Sequence, residues 1–290
     1  MIRAAAVACL FALPAAAQNM TPDTCRAGWQ AFNEMTGQTA QMAAVKPDVT
    51  DQGWCRIDST NAELTAKDFT SLEFRGTGID AAVTNQGAPE TLDVRIDGID
   101  LLHGWKLPLD AQYAGPRGTL ALSYVHLPDT RATQLKQLNA EFGGLGHIKV
   151  KAQGGGVDLS SLSAMQITSG GGRVTDITLQ IQTTPDLKQA MLPPIAAAMG
   201  ALYVDAIPDT SIDANSRDAL RRFLTSGPDT GGLLRAQGHS PAGIGVLQIV
   251  GGVMPLQKSD KSAKSEDALK DAMEIMLSGV TVSAEWVAIE

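Results

Sequence analysis

From Trp54 onward, apolar residues recur at every second position in one segment after another. In "TLDVRIDGIDLLH" they are Leu92, Val94 and Ile96. In "RGTLALSYVHL" they are Leu120, Leu122 and Tyr124, with His126 in phase. "GHIKVKAQG" carries Ile148 and Val150, and "GRVTDITLQIQTT" carries Ile177, Leu179 and Ile181. Alternation places one apolar and one polar face on each strand, which is the pattern of an antiparallel sheet wetted on one side. "WCRID" reads as the first strand. "AKDFTSLEFRGTGI" continues with Phe74 and Ile79 around Gly76 and Gly78.

Helical spacing frames these strands. Thr21-Pro22-Asp23 has a capping residue followed by proline in the first turn, and Trp29, Phe32, Met35 and Met42 follow at roughly helical intervals. "AVKPDVTDQG" then reads as a turn region. "LPDTRATQLKQLNAEFGG" holds Leu135, Leu138 and Phe142, which predicts a helix crossing the sheet's apolar face. After Pro185 the pattern predicts two short helices around Pro193-Pro194. A helix with Leu220, Phe223 and Leu224 on one side comes next, and a strand starts at Leu233-Leu234. The last unit repeats that plan: Ser265 can cap, Leu269, Met273 and Met276 form a stripe, Ser278-Gly279 ends the helix, and Val280 to Ile289 is a strand.

The predicted fold is therefore α+β, a curved, mostly antiparallel β-sheet with one apolar face covered by helices. Residues 1–17 read as a signal peptide, 18–53 as an N-terminal helical segment, 54–185 as a β-rich region, and 186–290 as helix-strand units completing the same domain. The signal reading rests on Arg3, the apolar run Ala4 to Leu13, Pro14, and the small residues Ala15-Ala16-Ala17 before Gln18. That run is shorter than the roughly 20 residues a membrane-spanning helix needs. The expectation is thus a protein exported to the periplasm, with no transmembrane segment in the mature chain.

Export changes the meaning of the cysteines. Of the three, Cys9 lies in the leader, leaving Cys25 and Cys55. In an oxidising compartment such a pair predicts a disulfide. Their spacing is not that of a CxxC redox motif, and two thiolates are a poor zinc set. Trp29, four residues after Cys25, falls on the same helical face and would cover the sulfurs; Trp54 would point to the other side of its strand.

Composition narrows the function further. The formal net charge is −8 and no basic run is present, so nucleic acid is not an expected partner. Aromatic residues are only 4% of the chain, which argues against a sugar-binding platform. His103, His126, His147 and His239 are scattered, and no metal or other cofactor is indicated. "QGHSPAG" around Ser240 departs from G-x-S-x-G, because Pro241 follows the serine and Gly243 comes one residue late. Asp80, Asp100 and Asp158 recur in a Gly, β-branched, Asp phrase that reads as a turn element. Gly154-Gly155-Gly156 and Gly170-Gly171-Gly172 lack the Lys-Ser/Thr of a phosphate loop and read as turns or bulges. Lys258, Lys261 and Lys264 alternate with Ser and Asp as in a solvated linker.

"TLDVRIDGIDLLHG", "GHIKVKAQGGGVDLSS", "GRVTDITLQI" and the two helix-Ser-Gly units carry a resemblance across residues 60–290. The chain resembles the Gly- and Asp-punctuated envelope proteins of Gram-negative bacteria, including AsmA-like proteins, and is similar to the DUF2125-type family. AsmA-like proteins are large, membrane-anchored and linked to lipid traffic, whereas this chain is short with a removable leader. The resemblance implies an envelope role and brings no catalytic residues. Three expectations follow: a non-enzymatic envelope protein binding a lipid-like ligand or a protein partner, a hydrolase assembled from dispersed Asp, His and Ser, or a structural interaction module.

Overall fold

The computed structural model describes residues 20–36, 45–58, 69–99, 101, 117–187, 194–225, 230–258 and 265–289. Helix α1 (Pro22–Thr36) begins where Thr21 accepts the Thr24 backbone N–H at 3.1 Å, the predicted cap. The strands are β1 (Asp48–Val49), β2 (Cys55–Asp58), β3 (Ser71–Thr77), β4 (Thr91–Ile99), β5 (Gly118–Leu127), β6 (Ala132–Glu141), β7 (Gly146–Gly155), β8 (Arg173–Thr183), β9 (Gly232–Gly245) and β10 (Thr281–Ala288). They form a single ten-stranded sheet in which spatial order equals chain order. Every pairing between named strands is antiparallel, and the sheet is curved but not closed. Between strands lie α2 (Ile79–Asn85), α3 (Leu162–Thr168) with a 3-10 turn at Ser169–Gly171, α4 (Pro194–Asp205), α5 (Ala214–Thr225), α6 (Val246–Lys258) and α7 (Ser265–Met276).

One expectation is corrected. Residues 132–141, predicted as part of a helix, are strand β6. Ser123 pairs with Gln137, but Tyr124 pairs with Leu135, so Lys136 is an extra residue in β6. This β-bulge keeps Leu135 and Leu138 on the same face although they are three apart. The bulge imitates the first step of a helical pattern. From Leu138 the apolar positions Ala140 and Phe142 follow at period two, and both are buried.

Four more elements lie where no helix or strand was predicted, α3 (Leu162–Thr168) among them. Asp48–Val49 pairs with β2 inside the expected turn region, residues 79–85 form α2, and 246–258 form α6. Of the glycine triplets read as turns or bulges, Gly154 and Gly155 end β7 beside a register shift, Gly156 leaves it at φ +91°, and Gly170 and Gly171 lie in the 3-10 turn. The C-terminal unit matches its prediction. There α7 ends at Ser278-Gly279, with Gly279 at φ +72°, a left-handed conformation that glycine adopts without steric cost.

The Cys25–Cys55 disulfide is present, with the Cα atoms 5.2 Å apart, and it ties α1 to β2. Both cysteines and Ile57 are fully buried, and Trp29 packs in the same cluster with Leu72, Phe74 and Ile79. Trp54 lies across the strand, between the guanidinium groups of Arg75 and Arg95 at 4.3 and 4.2 Å from its ring centroid. Such stacking of cations on an aromatic face is attractive and lets a buried tryptophan sit on the sheet's charged side.

At the other end of the sheet, α5 packs its Phe223 edge-on to Trp286 at 5.3 Å, over Ile181 and Leu234. Asp213 caps α5: it accepts the Ser216 N–H at 2.9 Å and the Ser216 hydroxyl at 2.7 Å. These bonds hold the Asp213 carboxyl below its ordinary range. A carboxyl acidified by folding stabilises the fold above its unfolded pKa, and that contribution is lost as pH falls through the folded pKa. Asp213→Ala is therefore expected to lower Tm by a few degrees at pH 7. In thermal scans across pH, its deficit should shrink below the ordinary carboxylate range.

Candidate functional site: an open apolar face

The strand register converts the sequence alternation into three continuous lateral rows. The first runs Ile57, Leu72, Ile96, Leu120, Ala140, Ile148, Ile181, Leu234, Trp286. The second runs Cys55, Phe74, Val94, Leu122, Leu138, Val150, Leu179, Ala236, Ala284. The third joins Leu92, Tyr124, Leu135, Ala152 and Ile177. All three lie on one face, because their members are separated by two positions along each strand or by the bulge of β6.

The opposite face is polar. There Arg56 faces Glu73 (3.8 Å), Arg75 faces Asp93 (3.2 Å), and Arg235 faces Glu285 (3.3 Å). The Arg235–Glu285 pair is exposed, the other two are half-buried at the surface, and such pairs add little stability. Their effect is on register: a one-residue slip of any strand would carry its charges onto the apolar side.

Coverage of the apolar face is uneven. Over β2 and β3, α1 and α2 bury it together with the disulfide. Over β9 and β10, α5 buries the first row. Phe142, Leu145, Leu187 and Leu101 close one margin near Ala140. Val94 packs at the edge of the N-terminal cover and Leu179 at the edge of the α5 cover; between them Leu122, Leu138 and Val150 are half-buried. Exposure grows along β8, from Ile181 at 8% to Ile177 at 42%. Among the described residues the face is thus a trough, roofed at its two ends and along one margin, with no described helix over its middle.

One end of the trough carries polar groups. His126, at the end of β5, is buried; its Nδ1 lies 3.0 Å from the Thr133 hydroxyl and its backbone N–H donates to the Glu90 carbonyl at 2.7 Å. Its Nε2 has no hydrogen-bond partner. Next to it in the strand pattern, the Tyr124 hydroxyl donates to the Pro89 carbonyl at 2.9 Å, and burial pushes the phenol well above its usual range. Asp158 accepts the Ser160 N–H at 3.0 Å and lies 4.0 Å from Arg131. The Asp158 bonds, with its own N–H donated to the Thr168 hydroxyl at 2.8 Å, fix the 156–161 turn.

The candidate catalytic residues do not come together. His239 pairs with Asp176 at 2.7 Å on the polar face, and this bond is the main reason the Asp176 carboxyl titrates low. Ser240 follows His239 in the same strand, is buried, and faces the opposite side. His147 lies on the polar face 3.5 Å from Gln180. Its partner in register, Gln182, is six residues along β8 from Asp176, the partner of His239. That separation is about 20 Å at strand rise. Asp80 sits in the first turn of α2 and accepts from the Thr24 hydroxyl at 3.1 Å. Asp100, His103, Lys261 and Lys264 lie outside the described residues. Among the described residues, no three His, Cys, Asp or Glu side chains converge as a metal set, and no helix is long and apolar enough to cross a membrane.

Comparison with known proteins adds no relative. No family model, no curated protein and no solved structure matches the chain, so its function is read from the trough itself.

Proposed function

We propose that the protein binds the acyl part of a lipid-like ligand in the trough, as a non-enzymatic protein exported to the bacterial envelope. The observation that carries this is the half-exposed apolar centre of the sheet. A soluble fold that needed these side chains only as core would bury them, since each fully buried aliphatic side chain is worth about 1.5–3 kcal/mol. Five strands from β4 to β8, spaced at about 4.8 Å, span about 19 Å, and three rows at two-residue intervals cover about 13 Å. The hydrocarbon of one bilayer leaflet is about 15 Å thick. The strip therefore suits lipid chains in length and has room for more than one. Alanines at 140, 152 and 236 leave depth between the larger side chains.

The test uses cis-parinaric acid, whose fluorescence rises in apolar surroundings. The protein should bind it saturably and release it to excess palmitate, and native mass spectrometry of protein from an envelope fraction should show a lipid adduct. The absence of both saturable binding and an adduct would reject the reading. Export predicts in addition a periplasmic product beginning at Gln18, read by N-terminal sequencing.

A further inference from the structure

We propose that α6 and the α3 turn form a second functional surface, which inserts into the interface of a lipid bilayer. Its two most protruding side chains are Ile167 and Leu247, exposed by 84% and 76%. No large apolar side chain among the described residues is more exposed. Leu162, Val246, Ile249 and Val250 are exposed beside them. The two segments meet through the 3-10 turn: a Cβ at Gly172 would lie 3.9 Å from the Val246 side chain.

Charge distribution selects the occupant. Residues 159–172 and 240–257 contain no Asp, Glu, Lys or Arg, in a chain of which 19% is charged. In the α3 turn the exposed positions between the apolar ones are Ser163, Gln166, Ser169, Gly170 and Gly171. A surface facing only water has no reason to exclude charge, and the rim of a protein interface is commonly polar and charged. A surface that enters a bilayer must exclude it, because an ionised side chain there is expensive. Isolated apolar tips among uncharged small residues fit the headgroup and acyl boundary.

The border carries the complementary sign. Arg173 is exposed, donates to the Ala242 carbonyl at 3.0 Å, and has no carboxylate partner among the described residues. The nearby carboxylate of Asp176 is held by His239. Arg173 is thus available to a lipid phosphate.

Support beneath the surface is rigid. Gln248 donates to the Met276 and Ser278 carbonyls, both at 3.0 Å, binding α6 to the end of α7. A Cβ at Gly252 would overlap Met276 and the Ala272 carbonyl, so glycine lets the helices approach closely. The surface also continues the trough. Thr175 is an extra residue in β8, so Val174 shares the face of Ile177. Val174 pairs with Ile244, and α6 starts two residues later. As a route between bilayer and trough, this surface rests on the lipid-binding reading; as a bilayer contact it stands on its own residues.

The test is flotation of the chain from Gln18 with vesicles of phosphatidylethanolamine and phosphatidylglycerol, and with phosphatidylcholine vesicles. The protein should float with both, more strongly with the anionic set. Leu247→Asp and Ile167→Asp alter exposed tips and should leave the circular dichroism spectrum and Tm unchanged. Each should weaken vesicle partitioning about tenfold or more, the effect of withdrawing one inserted aliphatic side chain. Leu247→Trp should show a blue-shifted emission quenched by brominated lipid. No flotation, undiminished flotation of both Asp variants, or capture of a soluble protein partner through Leu247 without vesicle binding would overturn the proposal. Ligand binding is measured separately, so flotation with neither parinarate binding nor a lipid adduct rejects the trough reading alone, and parinarate binding without flotation rejects this one alone.

Discussion

Reduction of the Cys25–Cys55 disulfide is expected to lower Tm by about 10 °C, as is the double substitution Cys25→Ala/Cys55→Ala. The bond closes a loop with a sequence separation of 30. Its closure removes unfolded-state freedom worth roughly 3–4 kcal/mol in the chain-entropy description. The folded side is equally exposed to the loss. Both sulfurs are fully buried in one cluster with Trp29, Ile57 and Phe74, and they join α1 to the sheet within that cluster. Calorimetry with and without reductant measures the effect. An unchanged Tm with both thiols shown free by alkylation would contradict it.

Leu138→Asp is expected to weaken cis-parinarate binding about hundredfold while the protein still unfolds cooperatively. Leu138 stands in the centre of the trough, between Leu122 on β5 and Val150 on β7. It is half-exposed, so an aspartate there keeps water in the empty protein. A bound acyl chain would remove that water, and stripping a carboxylate of solvent without a partner costs several kcal/mol. Gln137→Asp is the control. That residue is exposed and pairs with Ser123 on the polar side of the sheet, and its substitution should leave binding unchanged. Equal binding by both variants would place the ligand elsewhere.

Most of the sheet was legible as alternation. Leu92, Val94 and Ile96, or Ile177, Leu179 and Ile181, can share a face only in an extended chain, and β4 and β8 are where that pattern placed them. The Cys25–Cys55 disulfide followed from the number of cysteines once Cys9 was assigned to the expected leader. Strand β6 was misread because the bulge at Lys136 makes a spacing of three, and spacing is all that a periodicity argument sees. The helix α6 went unrecognised for a different reason. "VLQIVGGVMPLQK" has apolar residues on all sides, two glycines and a proline, so it lacks both the polar face and the propensity by which a helix is recognised.

What the sequence by itself determined is the sidedness of the regularly alternating strands, the pairing of Cys25 with Cys55, and the uncharged character of 159–172 and 240–257. These are properties of local order and count, which the chain carries before it folds. What only the tertiary structure decided is where the covers end. Leu72 and Leu122 are alike in sequence, yet α1 and its disulfide-linked neighbours bury the first, while the second faces the trough half-exposed. An apolar side chain looks the same in the chain whether a helix will lie over it or not, because burial depends on which distant segment reaches it and how far that segment extends across the sheet.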